Sequence, residues 1–469
     1  MRSVNKLRFS KMVEAGRDNK ENAKEKVKIF SMIWPIIVEL ILTGLLSNAT
    51  QAVLNDFSSD AVAVTSSGSL VVSFVLNIYC IISIGMTILL APLAGAKRYD
   101  ECRKLINTAL MANFFLGIFI SLLGITLIPA LIILLNIPDN LHEMARQYLL
   151  ISIGLSFVQG QVITLNAALR SFGEMKKVLY TMLSVSAICM VLSKLLYLFV
   201  PEHSQNMILY SLVSIIAQLV GIVMFFVILY RHKEINYRFS VKGTFSTIKY
   251  IRPRILHYGI PGGCEGLIYL VSQTMVVSFI GLLGTQALLV KAFAGNVYYY
   301  MTVTTSSTAA GVSIIAGHLI GEGNSRKIGK ISRNVIMVDF AVTAAVCAIL
   351  MIIGPGFLRI YTNDRAIISM AMKVIFLNMI VELIKCVTGN LVSILKAIGD
   401  VRFPFVIVIA GSVINVGISY FFGITLKFGL IGIWFGYIAD VLFRGIACWI
   451  RFDRDISQRQ ENEVFIKDL

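Results

Sequence analysis

Apolar runs recur along the chain at about 29–54, 61–95, 104–135, 146–168, 178–200, 207–230, 254–281, 285–316, 333–356, 367–395, 403–423 and 429–451, separated by short polar stretches. Each is long enough for a helix to cross a hydrocarbon core, which takes about 20 residues. Strands that cross a membrane are roughly half that length, and only helices and closed barrels satisfy their backbone in lipid. The pattern therefore predicts an all-α polytopic membrane protein with twelve transmembrane helices.

The runs also repeat. Pro35-Ile-Ile-Val-Glu39 is matched by Pro261-Gly-Gly-Cys-Glu265, 226 residues later. At the same offset Leu93-Ala-Gly95 is matched by Leu319-Ile-Gly321, and Leu169-Arg-Ser-Phe-Gly173-Glu174 by Leu395-Lys-Ala-Ile-Gly399-Asp400. Three landmarks at one spacing indicate duplicated halves. The expected organisation is a basic tail over 1–28, a six-helix lobe over 29–230, a linker over 231–253, a second six-helix lobe over 254–451 and a tail over 452–469. An even number of spans per half gives both halves one orientation, so they are related by an axis along the membrane normal with a cavity between two bundles. Pro35 removes a backbone donor from the first helix, and Pro261 with Gly262 and Gly263 weakens the start of the seventh, so both are candidate hinges.

Composition agrees with this solvent. Of 469 residues, 57% are hydrophobic and 14% charged, and the mean hydropathy is +0.79, more apolar surface than one aqueous domain can bury. Of the 42 Lys and Arg, 33 fall in the tails and in the loops near 97–104, 170–177, 231–254, 326–333 and 396–402, which the positive-inside rule places in the cytoplasm. The opposite loops hold only Arg146, Arg359, Arg365 and Lys427. Both termini are thus expected on the cytoplasmic side of a cell (inner) membrane. The net charge of +16 reads as a ring facing anionic lipid rather than a nucleic-acid surface. The seven cysteines show no disulfide framework or metal-ligand spacing, and the polar amino end has no cleavable-leader pattern.

The repeated proline at the start of helices one and seven, the Leu-x-Gly loops and the paired Leu-Arg-Ser-Phe-Gly-Glu and Leu-Lys-Ala-Ile-Gly-Asp loops resemble the multidrug and toxic compound extrusion (MATE) family over about 30–451. The resemblance implies two six-helix lobes forming a V that opens alternately to either side. It also implies export of small organic compounds in exchange for protons or sodium ions, with no other cofactor. No Gly-x-x-x-x-Gly-Lys-Ser/Thr nucleotide loop occurs.

Charged groups inside spans are costly and are treated as functional candidates. Family members often carry a glutamate in helix seven facing the carboxyl-lobe cavity, which points to Glu265; its repeat mate Glu39 is a second candidate or a bridge at the cytoplasmic end of helix one. Many members have an aspartate about fifteen residues after the helix-one proline, whereas this chain reads Ser47-Asn48-Ala49-Thr50-Gln51 there. Asn48 and Gln51 are able to hydrogen-bond a ligand but not to carry a proton. Asp56 is expected solvated at the outer end of that helix.

In helix ten Lys385 stands where some members have a cavity aspartate, with Glu382 one turn earlier on the same face. The two neutralise each other or, with Lys291 of helix eight, make the cavity electropositive. Asp339 is read as pairing locally, Asp440 and Arg444 as an intrahelical pair, and Lys194 and Lys373 as snorkelling toward an interface. Tyr269 and one or two of Tyr298–Tyr300 are expected to line a cavity. The pattern supports a secondary exporter working as a monomer. A flippase for a lipid-linked saccharide, a related architecture, is the alternative that Lys291 and Lys385 keep open. An integral-membrane enzyme is disfavoured because no paired-acid cluster, nucleophile elbow or His-Glu-x-x-His helix appears.

Overall fold

The computed structural model describes residues 29–54, 58–135, 137–199, 207–239, 241–359 and 362–459. The tails expected over 1–28 and beyond 459, and Asp56, lie outside the described residues. Among them, thirteen α-helices make twelve spans: α1 (Ile29–Leu54), α2 (Ser59–Gly95), α3 (Tyr99–Leu134), α4 (His142–Gly154), α5 (Ser156–Ser171), α6 (Met175–Phe199), α7 (Met207–Arg231), α8 (Val241–Leu282), α9 (Thr285–Gly321), α10 (Lys327–Leu358), α11 (Arg365–Ala397), α12 (Arg402–Tyr420) and α13 (Gly429–Arg459).

Three boundaries differ from the reading above. The fourth span is not one helix over 146–168: α4 and α5 meet at 43° around Leu155, where Gly154 and Ser156 flank the break. The linker expected over 231–253 becomes helical at Val241, where Val241, Phe245, Ile248 and Ile251 recur at helical spacing. At the other end α13 continues past 451 to Arg459. Arg451 pairs with Asp400 at 2.8 Å and with Asp455 at 3.5 Å, and Arg333 with Asp453 at 2.8 Å, which ties the extension down.

The duplicated landmarks fold alike. After α5, Gly173 takes φ +80° and Glu174 N–H donates to Leu169 C=O at 3.1 Å; after α11, Gly399 takes φ +92° and Asp400 N–H donates to Leu395 C=O at 2.9 Å. This left-handed ending satisfies carbonyls that the helix leaves free. The ends of α2 and α9 do the same, through Arg98 N–H to Leu93 C=O at 3.0 Å and Asn324 N–H to Leu319 C=O at 2.8 Å. Gly323 supplies the left-handed residue in one, while Lys97 adopts it at φ +59° in the other.

Contacts between the halves are reciprocal, as a two-fold relation requires. A Cβ on Gly95 would fall 2.4 Å from the carbonyl oxygen of His318, and one on Gly321 would fall 2.0 Å from that of Pro92; 92 and 318, like 95 and 321, are repeat mates. Likewise Ile33 of α1 meets Gly311 of α9, while their mates Gly259 of α8 and Gly85 of α2 meet backbone to backbone. Shared cores surround these crossings: Met32, Ile33 and Ile36 pack with Val312, Ile315 and Leu395, and Ile255 packs into the cluster of Met86, Leu90 and Ile106. At the far ends the cores separate. Val64, Ile128 and Leu149 cluster within the first lobe, and Val276, Met301, Ile375 and Trp434 within the second. Two bundles thus join at the basic-loop end and part at the other.

Candidate functional site in the second lobe

Lys396, in the Leu-Lys-Ala-Ile-Gly-Asp turn after α11, reaches back to α8. Its Nζ lies 2.6 Å from Glu265 Oε2 and donates to the Gly262 carbonyl at 3.3 Å. Arg170, its repeat mate, lies 2.7 Å from Glu39 Oε1. The proline-glutamate and Leu-basic-x-x-Gly landmarks are therefore the two ends of one ion pair, built twice. Both glutamates are buried. Breaking a buried pair by removing one partner costs about 3–5 kcal/mol, because the remaining charge is left uncompensated.

The second-lobe pair borders a cavity through Glu265. A pocket of about 370 Å³ is lined from α8 by Glu265, Tyr269 and Gln273, from α9 by Lys291 and Tyr298, from α11 by Asn378, Lys385 and Thr388, and from α13 by Trp434, Tyr437, Asp440 and Arg444. The aromatic side chains are held by hydrogen bonds, Trp434 Nε1–H to Asn378 Oδ1 at 2.8 Å and Tyr437 O–H to Gln273 Oε1 at 2.7 Å. Rigid rings with fixed polar tips and a few charges form a surface for an amphipathic organic molecule.

The charges are unevenly paired. Arg444 donates to Asp440 at 2.5 Å, the i,i+4 pair read from the sequence. Lys385 Nζ sits 3.6 Å from Glu382 Oε2, donates to Tyr298 Oη at 3.5 Å and lies 5.6 Å from that ring's centre. Glu382 itself is fully buried behind the cavity wall, with neither oxygen hydrogen-bonded among the described residues. Lys291 is half-buried with no acidic partner within salt-bridge distance among the described residues, the one lining cation in that condition.

Not every candidate joins this site. Asn48 and Gln51 are exposed on α1, away from the pocket, and Glu39 is engaged by Arg170. α1 and α8 run unbroken through Pro35 and through Pro261, Gly262 and Gly263. A Cβ on Gly263 would stand 2.6 Å from Ile81 Cα, so this glycine admits α2 against α8. Lys194 and Lys373 are exposed, Tyr299 donates to Leu40 C=O at 3.1 Å and Tyr300 stacks edge-on against Phe357.

Asn378, Gln273, Trp434 and Tyr437 were not singled out from the sequence, and Asp339 received only a local role. Superposing the halves at the 226-residue offset carries that information. It places Lys291 over Thr65, Asp339 over Asn113, Glu382 over Ser156 and Lys385 over Gln159, so the first lobe has a neutral polar residue wherever these four charges occur.

The family described as MatE matches residues 35–195 and again 261–421, the same 226-residue displacement. The chain belongs to the MatE family. It is accordingly a membrane transporter rather than an enzyme. It is 26% identical over 438 residues to the "Uncharacterized transporter YisQ" of Bacillus subtilis, covering 92% of this chain and 95% of that protein. It is 22% identical over 443 residues to the "Probable multidrug resistance protein NorM" of Thermotoga maritima, covering 91% and 92%. The fold is similar to that of a solved structure titled "Outward-facing conformation of a multidrug resistance MATE family transporter of the MOP superfamily", with a TM-score of 0.85 at 17% identity over 93% of this chain and 97% of that one. A second, titled for the reverse polarity of the binding pocket of a MOP superfamily transporter from Pyrococcus furiosus, gives a TM-score of 0.80 at 16% identity over 93% and 97%.

Proposed function

We propose that this MatE transporter is a secondary antiporter that exports small organic compounds across the cell membrane, in exchange for protons or sodium ions, by alternating access of its two lobes. The single observation that carries the reading is the asymmetry of packing along the lobes. They share cores and close glycine contacts at one end and hold separate cores at the other. With the Lys- and Arg-rich loops in the cytoplasm, the joined end faces inward and the separated end outward, the state from which cargo leaves. Curated relatives named as probable multidrug resistance proteins, NorM and YoeA, support the same class of activity.

The inner contacts must part for the inward state. Pro35, Pro261, Gly262 and Gly263 stand where α1 and α8 would bend, and Lys396 bonds both the Gly262 carbonyl and Glu265, so changes at Glu265 are coupled to that hinge. Glu265, Lys385, Glu382 and Lys291 are the groups whose occupancy differs between states. A ligand shifts the equilibrium only through its differential affinity for the two states. The pocket lies within one lobe, so a monomer suffices. The unpaired Lys291 favours cargo with an anionic or zwitterionic head, and it is the observation that supports a second reading, a flippase for an amphiphile such as a lipid-linked saccharide.

Uptake of fluorescent cationic, zwitterionic and anionic compounds by inverted vesicles, under an imposed proton gradient and separately a sodium gradient, tests the reading. Gradient-dependent accumulation of one class supports the antiporter and identifies the ion. Absence of transport under both gradients by correctly folded protein, with scrambling of an anionic lipid analogue, supports the flippase instead.

A further inference from the structure

Asp339 lies on α10, in the middle of a span, 1% exposed and outside the cavity lining. Its partners among the described residues are all neutral. Asn390 of α11 donates Nδ2–H to Oδ2 at 2.6 Å, and Thr343 donates to Oδ1 at 3.3 Å. The nearby acid is Glu382 of α11, also buried, whose cationic neighbour is Lys385. Two carboxylates and one ammonium leave one uncompensated negative charge in a low-dielectric interior, and such a group binds a proton or a cation rather than remaining bare.

We propose that Asp339 is a proton-binding site, loaded from the cavity past Lys385 and Glu382. The internal repeat supplies the control. At the same place in the first lobe Asn113 donates to Thr164 at 2.6 Å, the mates of Asp339 and Asn390, so an amide meets the packing demand of this position. The carboxylate is extra to the scaffold. Asp339 is not among the residues lining the pocket, and no metal-binding cluster of acids, Cys or His occurs among the described residues, which favours a proton over a larger ion.

The local hydrogen bonds accommodate both protonation states. With Asp339 ionised, Thr343 donates to Oδ1, Thr304 Oγ1, 3.0 Å away, donates to Thr343, and the chain ends there. When an O–H bond forms on Oδ1, Asp339 donates to Thr343, Thr343 to Thr304, and Thr304 to the Met301 carbonyl at 3.2 Å. No heavy atom needs to move. The proton comes from water in the cavity, Lys385 stays an ammonium, and the proton leaves by the same groups. The groups facing the pair are Thr304, Thr308 and Tyr298 on α9, Thr343 and Cys347 on α10, and Lys385, Cys386 and Asn390 on α11. Only the use made of the proton rests on the antiporter reading.

Infrared difference spectroscopy of the full chain in lipid, titrated from acid to alkaline pH, reads the C=O stretch of a protonated carboxyl apart from carboxylates. The expected result is a titrating band that shifts on 13C-aspartate labelling, disappears in Asp339→Asn and persists in Asp440→Asn and Glu265→Gln. In the same preparation Asp339→Asn should retain substrate exchange at zero gradient and lose proton-driven accumulation. A band that is absent from the wild type, that does not shift on aspartate labelling, or that persists in folded Asp339→Asn overturns the proposal whether or not the protein exports drugs. Should Asp339→Asn fail to fold, Asp339→Glu decides the point: the titrating band should then shift with 13C-glutamate and no longer with 13C-aspartate.

Discussion

The two lobes are one design with different charges. Each closes a buried ion pair between the helix after its proline and the turn after its fourth span, Glu39 with Arg170 and Glu265 with Lys396. Each ends its helices with the same left-handed turns, and each meets the other through mated glycine contacts. Yet the second has Lys291, Asp339, Glu382 and Lys385 where the first has neutral polar residues, and it is the second that holds the described aromatic pocket. What the lobes share is packing and pairing; what differs is charge, and the proposed function assigns the transport chemistry to that difference.

The sharpest way to break this comparison is at the shared pair. Lys396→Ala and Arg170→Ala each leave a buried glutamate uncompensated, and each should lower unfolding stability by about 3–5 kcal/mol. Thermal unfolding in detergent checks the magnitude, and equal losses show that the pair supports the fold of both lobes. The conservative changes should then diverge. Both lose a carboxylate from a buried pair and should lose stability alike, but among the molecules that fold Glu265→Gln should abolish coupled efflux, whereas Glu39→Gln should leave transport within about threefold, a difference below 1 kcal/mol. Equal transport defects would remove the distinction between the lobes.

Next in size is the inner seal. Gly321→Val puts side-chain atoms against the Pro92 carbonyl, and Gly85→Val against α8, where even a Cβ has 2.1 Å to the Ile255 carbonyl oxygen. Both should open the joined end, raising cysteine labelling from the cytoplasmic side and lowering transport about tenfold. A smaller effect is expected at the start of α11, where Asp364 caps the helix by accepting from Ala366 N–H at 2.8 Å. Asp364→Ala should cost about 1 kcal/mol, and Ser58→Ala, whose bond to Ala61 N–H is longer at 3.4 Å, less. Neither cap should alter substrate selectivity.

Twelve spans, their duplication and the membrane solvent were legible because hydropathy and a fixed offset survive without any knowledge of packing. The pairing of the landmarks was not. Glu265 and Lys396 are 131 residues apart and meet only once α8 and α11 are bundled. The break at Leu155 was hidden because mean hydropathy carries across it, and the glycine-serine signal is short. Asn48 and Gln51 drew attention as polar residues in a span, yet burial and orientation decide whether such residues meet anything. Asp339 looked like a lone acid until set beside Asn113, a comparison the sequence permits without any structure.

The central claim is tested most directly by exchanging charges between equivalent positions. Proteoliposomes containing the wild type, the second-lobe variant Lys291→Thr, Asp339→Asn, Lys385→Gln, or the first-lobe variant Glu39→Gln, Arg170→Gln would be compared for proton- and sodium-driven transport of the same fluorescent compounds. The account predicts that the second-lobe variant folds and transports none of them under either gradient, while the first-lobe variant, once folded, keeps the wild-type substrate and ion preference. Wild-type transport by the second-lobe variant, with loss of coupling in the first, would contradict it.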